Sequence, residues 1–198
     1  MISIMESKNR KLLIYKFPIN KGQLAVVHEI KSKNSPTIIF LHDSLGCIKT
    51  WRDFPNLIAH KLECNYLMYD RLGYGESSDF HDTMKRKKDY LEKEADILNE
   101  IIEQRKILQP IIFGHSDGGS IALIAASKKE NNIKGIIVEA AHIFVEEITL
   151  DGIRKVKENY LNGELRKKLI KFHGSRTDDV FYTWTNTWLD EDFREWNI

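Results

Sequence analysis

The chain has 198 residues, with 30 Lys and Arg against 29 Asp and Glu (formal net charge +1), 42% hydrophobic residues, 11 Gly and 4 Pro. This balance excludes a phosphate-binding surface built on bulk charge, and the low Gly and Pro content excludes a mainly disordered or collagen-like chain. Folding at this length buries roughly 70% of the unfolded surface, enough for one core, so one domain with a small appendage is expected.

Short β-branched runs alternate with helical patterns along the first two thirds of the chain. Leu12–Ile19 and Leu24–Ile30 read as strands joined by a turn at Asn20-Lys21-Gly22, an antiparallel pair suited to a sheet edge. Thr37–His42 is a continuous apolar run, the signature of a parallel strand buried on both faces; Asn65–Asp70, Pro110–His115 and Ile133–Ala140 are three more. Between them, Trp51–Leu62 places Phe54, Leu57, Ile58 and Leu62 on one helical face. Thr83–Ile107 is a long amphipathic pattern carrying Tyr90, Leu91, Ala95, Leu98, Ile101 and Ile102. Lys85-Arg86-Lys87-Lys88, near its start, reads as a solvated helix face rather than a nucleic-acid site, because Glu92, Glu94 and Asp96 follow at once. Ser120–Ser127 is small and apolar, a helix packed tightly on a sheet. From Glu146 onward only helical patterns remain, at 148–161, 164–172, 178–189 and a short last one, with Thr149, Thr177 and Asp190 as N-caps. The plan is βββαβαβαβ followed by a helical appendage, an α/β class.

Cys47 and Cys64 have no CxxC spacing and make neither a disulfide framework nor a zinc site, so no metal is expected and a reducing compartment is favoured. The N-terminal segment has no uninterrupted apolar stretch of signal-peptide type, and no apolar run approaches the ~18–20 residues that span a bilayer. A cytoplasmic protein with no membrane and no nucleic-acid partner is expected.

The sharpest motif is Gly114-His115-Ser116-Asp117-Gly118-Gly119, a Gly-x-Ser-x-Gly between a predicted strand and a predicted helix. A serine at the tip of such a turn is held in a strained backbone conformation, and the flanking glycines let the turn pass close to neighbouring strands. Its hydroxyl then stands at the carboxyl end of the sheet, above a helix N-terminus that favours developing negative charge. Leu41-His42-Asp43-Ser44-Leu45-Gly46 follows the third strand, and Asp70-Arg71-Leu72-Gly73-Tyr74-Gly75-Glu76-Ser77 follows the fourth. The latter lacks the third glycine of a dinucleotide loop, and the chain has no Gly-Lys-Ser/Thr of a Walker type.

Together these three segments resemble the α/β-hydrolase fold superfamily, serine hydrolase branch, and they occur in the family's order. The resemblance covers a core (1–145, incomplete), with 146–198 resembling the family's helical lid. It implies a three-layer αβα sandwich with a mostly parallel sheet lacking its last two strands. It also implies Ser116 as nucleophile, no cofactor, and an oxyanion hole from the backbone N–H groups of Ser44 and Asp117. Asp43 stands where many members carry glycine. Serine at the elbow argues against the haloalkane dehalogenase and epoxide hydrolase branches, which use aspartate there.

The family order is Ser, then Asp or Glu, then His, with the acid following a strand after the lid and the histidine one strand further. The resemblance therefore places both beyond Ile198. Within the chain, Ser116…Asp151…His173 has the right order, but both partners sit in helical patterns rather than after strands. Glu139 closes the strand after the nucleophile helix and is a candidate acid. His142 is a candidate pocket or hinge residue, and His42 reads as loop packing. Trp184, with Trp188 and Trp196, suggests an apolar pocket for a small or medium acyl or aromatic group. The strand over 133–139 has no later strand to cover it, which suggests a homo-oligomer through that edge. The expected function is hydrolysis of an ester, amide or C–C bond of a small molecule. The alternative is a catalytically inactive fragment or pseudoenzyme with a binding or assembly role.

Overall fold

Every residue of Thr37–Leu41 and of Asn65–Tyr69 is buried. Strands buried on both faces require a sheet covered on both sides, and that requirement organises the molecule. The computed structural model describes residues 2–7, 10–20, 22–80, 85–128 and 132–198, with side chains from Leu12 onward. Lys21 of the predicted turn and the first residues of the predicted 83–107 helix lie outside the described residues.

Among the described residues, seven strands form one sheet: β1 (Ile2–Ser7), β2 (Arg10–Ile19), β3 (Gly22–Glu29), β4 (Thr37–Leu41), β5 (Asn65–Tyr69), β6 (Ile111–His115) and β7 (Gly135–Glu139). Their order is β1-β2-β3-β5-β4-β6-β7. The first three are antiparallel, β3 pairs antiparallel with β5, and β5, β4, β6 and β7 run parallel. β4 lies between β5 and β6, with Ile38 opposite both Tyr66 and Ile111.

Side chains alternate along β4. Ile38 and Phe40 enter a core with Ile48, Ala59, Tyr66 and Met68, under helix α1 (Phe54–Lys61) and a 3₁₀ turn (Ile48–Trp51). Ile39 and Leu41 enter the opposite core with Leu67, Leu98, Ile112 and Ala122, under α2 (Tyr90–Gln104) and α3 (Asp117–Ser127). The result is the expected three-layer αβα sandwich.

Four further helices follow: α4 (Glu147–Asn159), α5 (Glu164–His173), α6 (Thr177–Trp188) and α7 (Glu191–Arg194). They divide their apolar residues between two places. Tyr160, Leu169 and Phe181 build a small core of their own, in which the Tyr160 and Phe181 rings stack with centroids 3.5 Å apart. Ile153, Trp188, Phe193 and Trp196 join the core under α2 and α3.

Several elements differ from expectation. β1 was not anticipated, and it takes the edge position expected of the β2–β3 pair. The predicted 51–62 helix is broken at Arg52, which has φ 51°, so a 3₁₀ turn precedes α1. α2 starts only at Tyr90, and Arg86, four residues before it, turns inward. That side chain is 12% exposed rather than solvated: its guanidinium lies 5.5, 5.0 and 5.1 Å from the ring centroids of Tyr74, Phe80 and Tyr90 and donates to Glu94. Cation–π contact and a carboxylate together offset its desolvation. Of the expected caps, Asp190 accepts the Asp192 N–H, while Thr149 lies inside the first turn of α4 and Thr177 is the first helical residue of α6. Trp188 and Trp196 are core residues rather than pocket lining.

Among the described residues β7 pairs only with β6, and Ile137, Val138, Ile143 and Phe144 are exposed. Cys47 and Cys64 are buried free thiols.

Phe40 meets the rings of Trp51, Phe54, Tyr66 and Phe113 at centroid distances of 5.5, 6.0, 6.5 and 5.5 Å. Phe40→Ala is expected to cost about 3–5 kcal/mol, read as a lower urea midpoint. Ile137→Ala, at an exposed position, is expected to change stability by less than about 0.5 kcal/mol.

Candidate active site

β6 ends at His115 and α3 begins at Asp117, so Ser116 alone makes the reversal between them. It does so at φ 53°, ψ −121°, a conformation that non-glycine residues adopt at a cost of about 1–3 kcal/mol. Several contacts hold it there. The Ser116 N–H donates to the Glu139 carbonyl at the end of β7 (2.8 Å), and its own carbonyl accepts the N–H groups of Gly119 (2.8 Å) and Ser120 (3.1 Å). A Cβ on Gly114 would overlap the Gly118 carbonyl, and one on Gly118 would overlap the Leu41 carbonyl at the end of β4. The two glycines of the motif are therefore required by backbone packing against backbone.

The loop after β4 carries the other predicted donor, Ser44, which is buried. Asp43 shapes this loop. Its Oδ1 accepts the Leu45 N–H (2.8 Å) and its Oδ2 lies 3.6 Å from His115 Nδ1. Burial alone would raise the Asp43 carboxyl, but His115 and the Leu45 N–H outweigh it and hold it at about 2. The same carboxylate raises His115 above its ordinary 6.5 against the opposing effect of burial. Strand alternation places His115 on the α1 face with Phe113, away from the α3 face that Ser116 enters.

His42 is buried with both ring nitrogens engaged. Nε2 accepts the Arg71 N–H (3.1 Å), which leaves the proton on Nδ1 to donate to the Asp43 carbonyl (2.8 Å). Burial first, and the Arg71 charge second, push its pKa well below 6.5. The neutral ring packs the loop, as the sequence reading expected. Arg71 is equally buried; its Nη2 donates to the Asp43 carbonyl (2.7 Å) and its Nη1 lies 3.4 Å from Asp117 Oδ2. Asp117 Oδ2 also accepts the Tyr90 hydroxyl (3.0 Å), which in turn accepts the Trp188 Nε1–H (3.0 Å).

The Gly-x-Gly after β5 serves a carboxylate of the chain itself. Asp70 Oδ1 accepts the Ile48 N–H (2.6 Å) and Oδ2 the Glu76 N–H (2.7 Å), and a Cβ on Gly75 would overlap that carboxylate. Burial pushes the Asp70 carboxyl up to about 6, partly offset by these two N–H groups.

The remaining candidates separate. His173 Nδ1 accepts the Gly75 N–H (3.2 Å), so its Nε2–H donates to the Leu45 carbonyl (2.8 Å), and burial lowers its pKa. It is a clamp between two loops, while Asp151 pairs with Arg154 on exposed α4. Those two are not brought together with Ser116. The Glu139 side chain is exposed at the end of β7. His142 is tied to α3 through its backbone, its carbonyl accepting from and its N–H donating to the Ser120 hydroxyl, and its ring lies 5.0 Å from Trp188. Trp184 is half-buried against Phe181. Sequence reasoning missed Arg71 and Tyr90; the one available signal was the charged pair Asp70-Arg71 directly after a fully buried strand. Among the described residues no cluster of side chains suits a metal ion, and no helix is long and apolar enough to cross a membrane.

The Asp43–His115 pair is complete only while the carboxyl is ionised and the imidazole protonated. Its contribution to stability is therefore lost as pH falls towards about 2, and lost again as pH rises through the raised His115 value. An NMR titration of His115 is expected to show a midpoint above 6.5 in the wild type and a lower one in Asp43→Asn. Equal midpoints would exclude the carboxylate as the cause.

A family model for the alpha/beta hydrolase fold matches residues 36–197. The chain is 32% identical over 108 residues to a 2-succinyl-6-hydroxy-2,4-cyclohexadiene-1-carboxylate synthase of Photorhabdus laumondii, covering 54% of this chain and 36% of that protein. It is 31% identical over 142 residues to the serine hydrolase BPHL of Mus musculus, covering 69% and 47% respectively. Its fold is similar to that of an alpha/beta hydrolase fold protein from Burkholderia ambifaria (TM-score 0.66, 13% identity, 98% of this chain and 77% of that one). It is also similar to an esterase from Exiguobacterium antarcticum (TM-score 0.62, 20% identity, 87% and 72%). The chain thus spans less than half the length of these two curated relatives.

Proposed function

From the premise that this chain belongs to the alpha/beta hydrolase fold family, we propose that it is a serine hydrolase acting on an ester, amide or C–C bond next to a carbonyl of a small molecule. The observation that carries this reading is Ser116 at positive φ between β6 and α3, the single residue on which strand, helix and β7 converge. Its hydroxyl attacks the carbonyl carbon, and the oxygen that gains charge is held by the N–H groups of Ser44 and Asp117. Asp117 lies in the first turn of α3, where N–H groups have no intrahelical acceptor. Among the described residues, neither the Ser44 nor the Asp117 N–H is spent on a protein carbonyl.

Attack needs a base to take the hydroxyl proton. His42 and His173 have both ring nitrogens occupied, and His115 is paired to Asp43 on the other face of the sheet. The base is therefore assigned to none of these three. We propose that the base and its carboxylate partner lie beyond these 198 residues, with Glu139 as the alternative acid within them. The names of the relatives, a synthase and a serine hydrolase, are compatible with carbonyl chemistry at one serine and leave the substrate open. α4–α7 are proposed to form its cap.

A fluorophosphonate probe is expected to add one covalent label to the folded protein, at Ser116, and Ser116→Ala is expected to abolish it. Without its base the chain should still hydrolyse an activated ester at most about 10³–10⁴-fold faster than water. A label that persists in folded Ser116→Ala, by intact mass, overturns the assignment of the nucleophile.

A further inference from the structure

The most heavily buried charge next to the elbow is one that the chemistry above does not use. Arg71 and Asp117 each expose 2% of their side chains, yet the ion pair between them is long, at 3.4 Å. Arg71 Nε and Asp117 Oδ1 have no hydrogen-bond partner. Desolvating two charges for such a contact is poor stabilisation, because a buried pair offsets its desolvation only with close geometry and satisfied lone pairs. The better-made contact of Arg71 is elsewhere: Nη2 to the Asp43 carbonyl at 2.7 Å, an oxygen that also accepts the His42 Nδ1–H.

That carbonyl belongs to the same peptide unit as the Ser44 N–H. In a planar trans peptide the two point in opposite directions, and the described residues contain no cis bond. Three donors, the Arg71 guanidinium, the His42 ring and the Gly46 N–H (3.2 Å), meet on the Asp43 oxygen and fix the Ser44 N–H on the far side of the peptide, and Arg71 makes the shortest of the three contacts. The other arm of the guanidinium reaches the side chain of Asp117, the residue whose N–H is the second proposed donor. We propose that Arg71 is the positioning residue of the oxyanion hole, a buried fork that sets the 43–44 peptide with one arm and the first residue of α3 with the other; the proposal rests on Ser116 being the nucleophile.

A guanidinium suits this task because its donors form a rigid planar fork, whereas an ammonium is a single point charge that can serve one acceptor at full strength. Tyr90 supports the second arm, since its hydroxyl donates to the same Asp117 oxygen.

The test uses two readouts on the 198-residue chain: the ¹⁵N–¹H residual dipolar coupling of the Ser44 amide, and the second-order rate of Ser116 phosphonylation by a fluorophosphonate. In Arg71→Met the Ser44 coupling is expected to change while couplings within β4 and β6 stay as in the wild type. The labelling rate is expected to fall about 100-fold, the scale of losing one oxyanion donor. Arg71→Lys, which can keep one acceptor, is expected to fall between Arg71→Met and the wild type in rate; if Arg71→Met does not fold, this variant carries both comparisons. Asp117→Asn leaves the Asp43 contact in place and should keep the Ser44 coupling of the wild type. An unchanged Ser44 coupling in a folded Arg71 variant overturns the proposal, as does an unchanged labelling rate. A label that persists in Ser116→Ala overturns the nucleophile assignment, while the Ser44 coupling still decides whether Arg71 sets the peptide.

Discussion

The structure turns on a single approach of backbone to backbone. Helix α3 begins so close to the end of β4 that there is no room for a Cβ between Gly118 and the Leu41 carbonyl, or between Gly114 and the Gly118 carbonyl. Close packing of main chain against main chain leaves Ser116 no relaxed conformation, and the positive φ follows. It also carries the loop after β4 to the side of the elbow, since Leu41 and His42 are the residues that α3 abuts. The strain at Ser116 is sustained by hydrogen bonds to β7 on one side and to the first turn of α3 on the other. A conformation this costly persists only when its surroundings over-determine it.

Beneath the elbow the interior turns polar, and each buried polar group there has a loop to hold. Asp70 gathers the N–H groups of Ile48 and Glu76, and so joins the turn after β4 to the turn after β5. His42, kept neutral by burial and by Arg71, bonds the same two segments from the other side. Buried backbone groups in loops must find partners; here carboxylate, imidazole and guanidinium side chains supply them where a sheet ladder cannot. The cost is several desolvated charges in a small volume. Partners shared between loops offset it, so that the loops at the carboxyl end of the sheet act as one block.

The C-terminal helices are fastened to that block at three points. His173 bridges Leu45 and Gly75, Arg176 donates to the carbonyls of Gly75 and Ser77, and Trp188 reaches Asp117 through the Tyr90 hydroxyl. The last of these runs from α6 to the residue after Ser116 by way of α2. Displacement of α6 would therefore be felt at the first turn of α3. The aromatic cluster of Trp188, Phe193 and Trp196 backs the connection with apolar burial in the main core.

Much of this was legible in the order of residues. The four apolar runs became β4 to β7 within one or two residues at each end, but only β4 and β5 are buried on both faces as expected; β6 is buried at alternate positions, and β7, paired on one side among the described residues, leaves Ile137 and Val138 exposed. The Gly-x-Ser-x-Gly located the strained serine, because only glycine tolerates the packing on either side of it. β1 and the break at Arg52 were not legible: a short edge strand carries no periodic signal of its own, and a single positive-φ residue carries none at all. Arg86 was misread as solvated because its cage takes Tyr74 and Phe80 from the stretch after β5 as well as Tyr90 four residues on, and irregular chain carries no periodicity that would announce such contacts. The sequence by itself determined the layered α/β class and the serine at its turn, since both depend on neighbours a few residues apart. Only the tertiary structure decided which buried charges meet at that turn. Arg71, Asp43 and Asp117 are separated by 28 and 46 residues of chain, and side-chain contact over such separations is set by how the strands are ordered in the sheet.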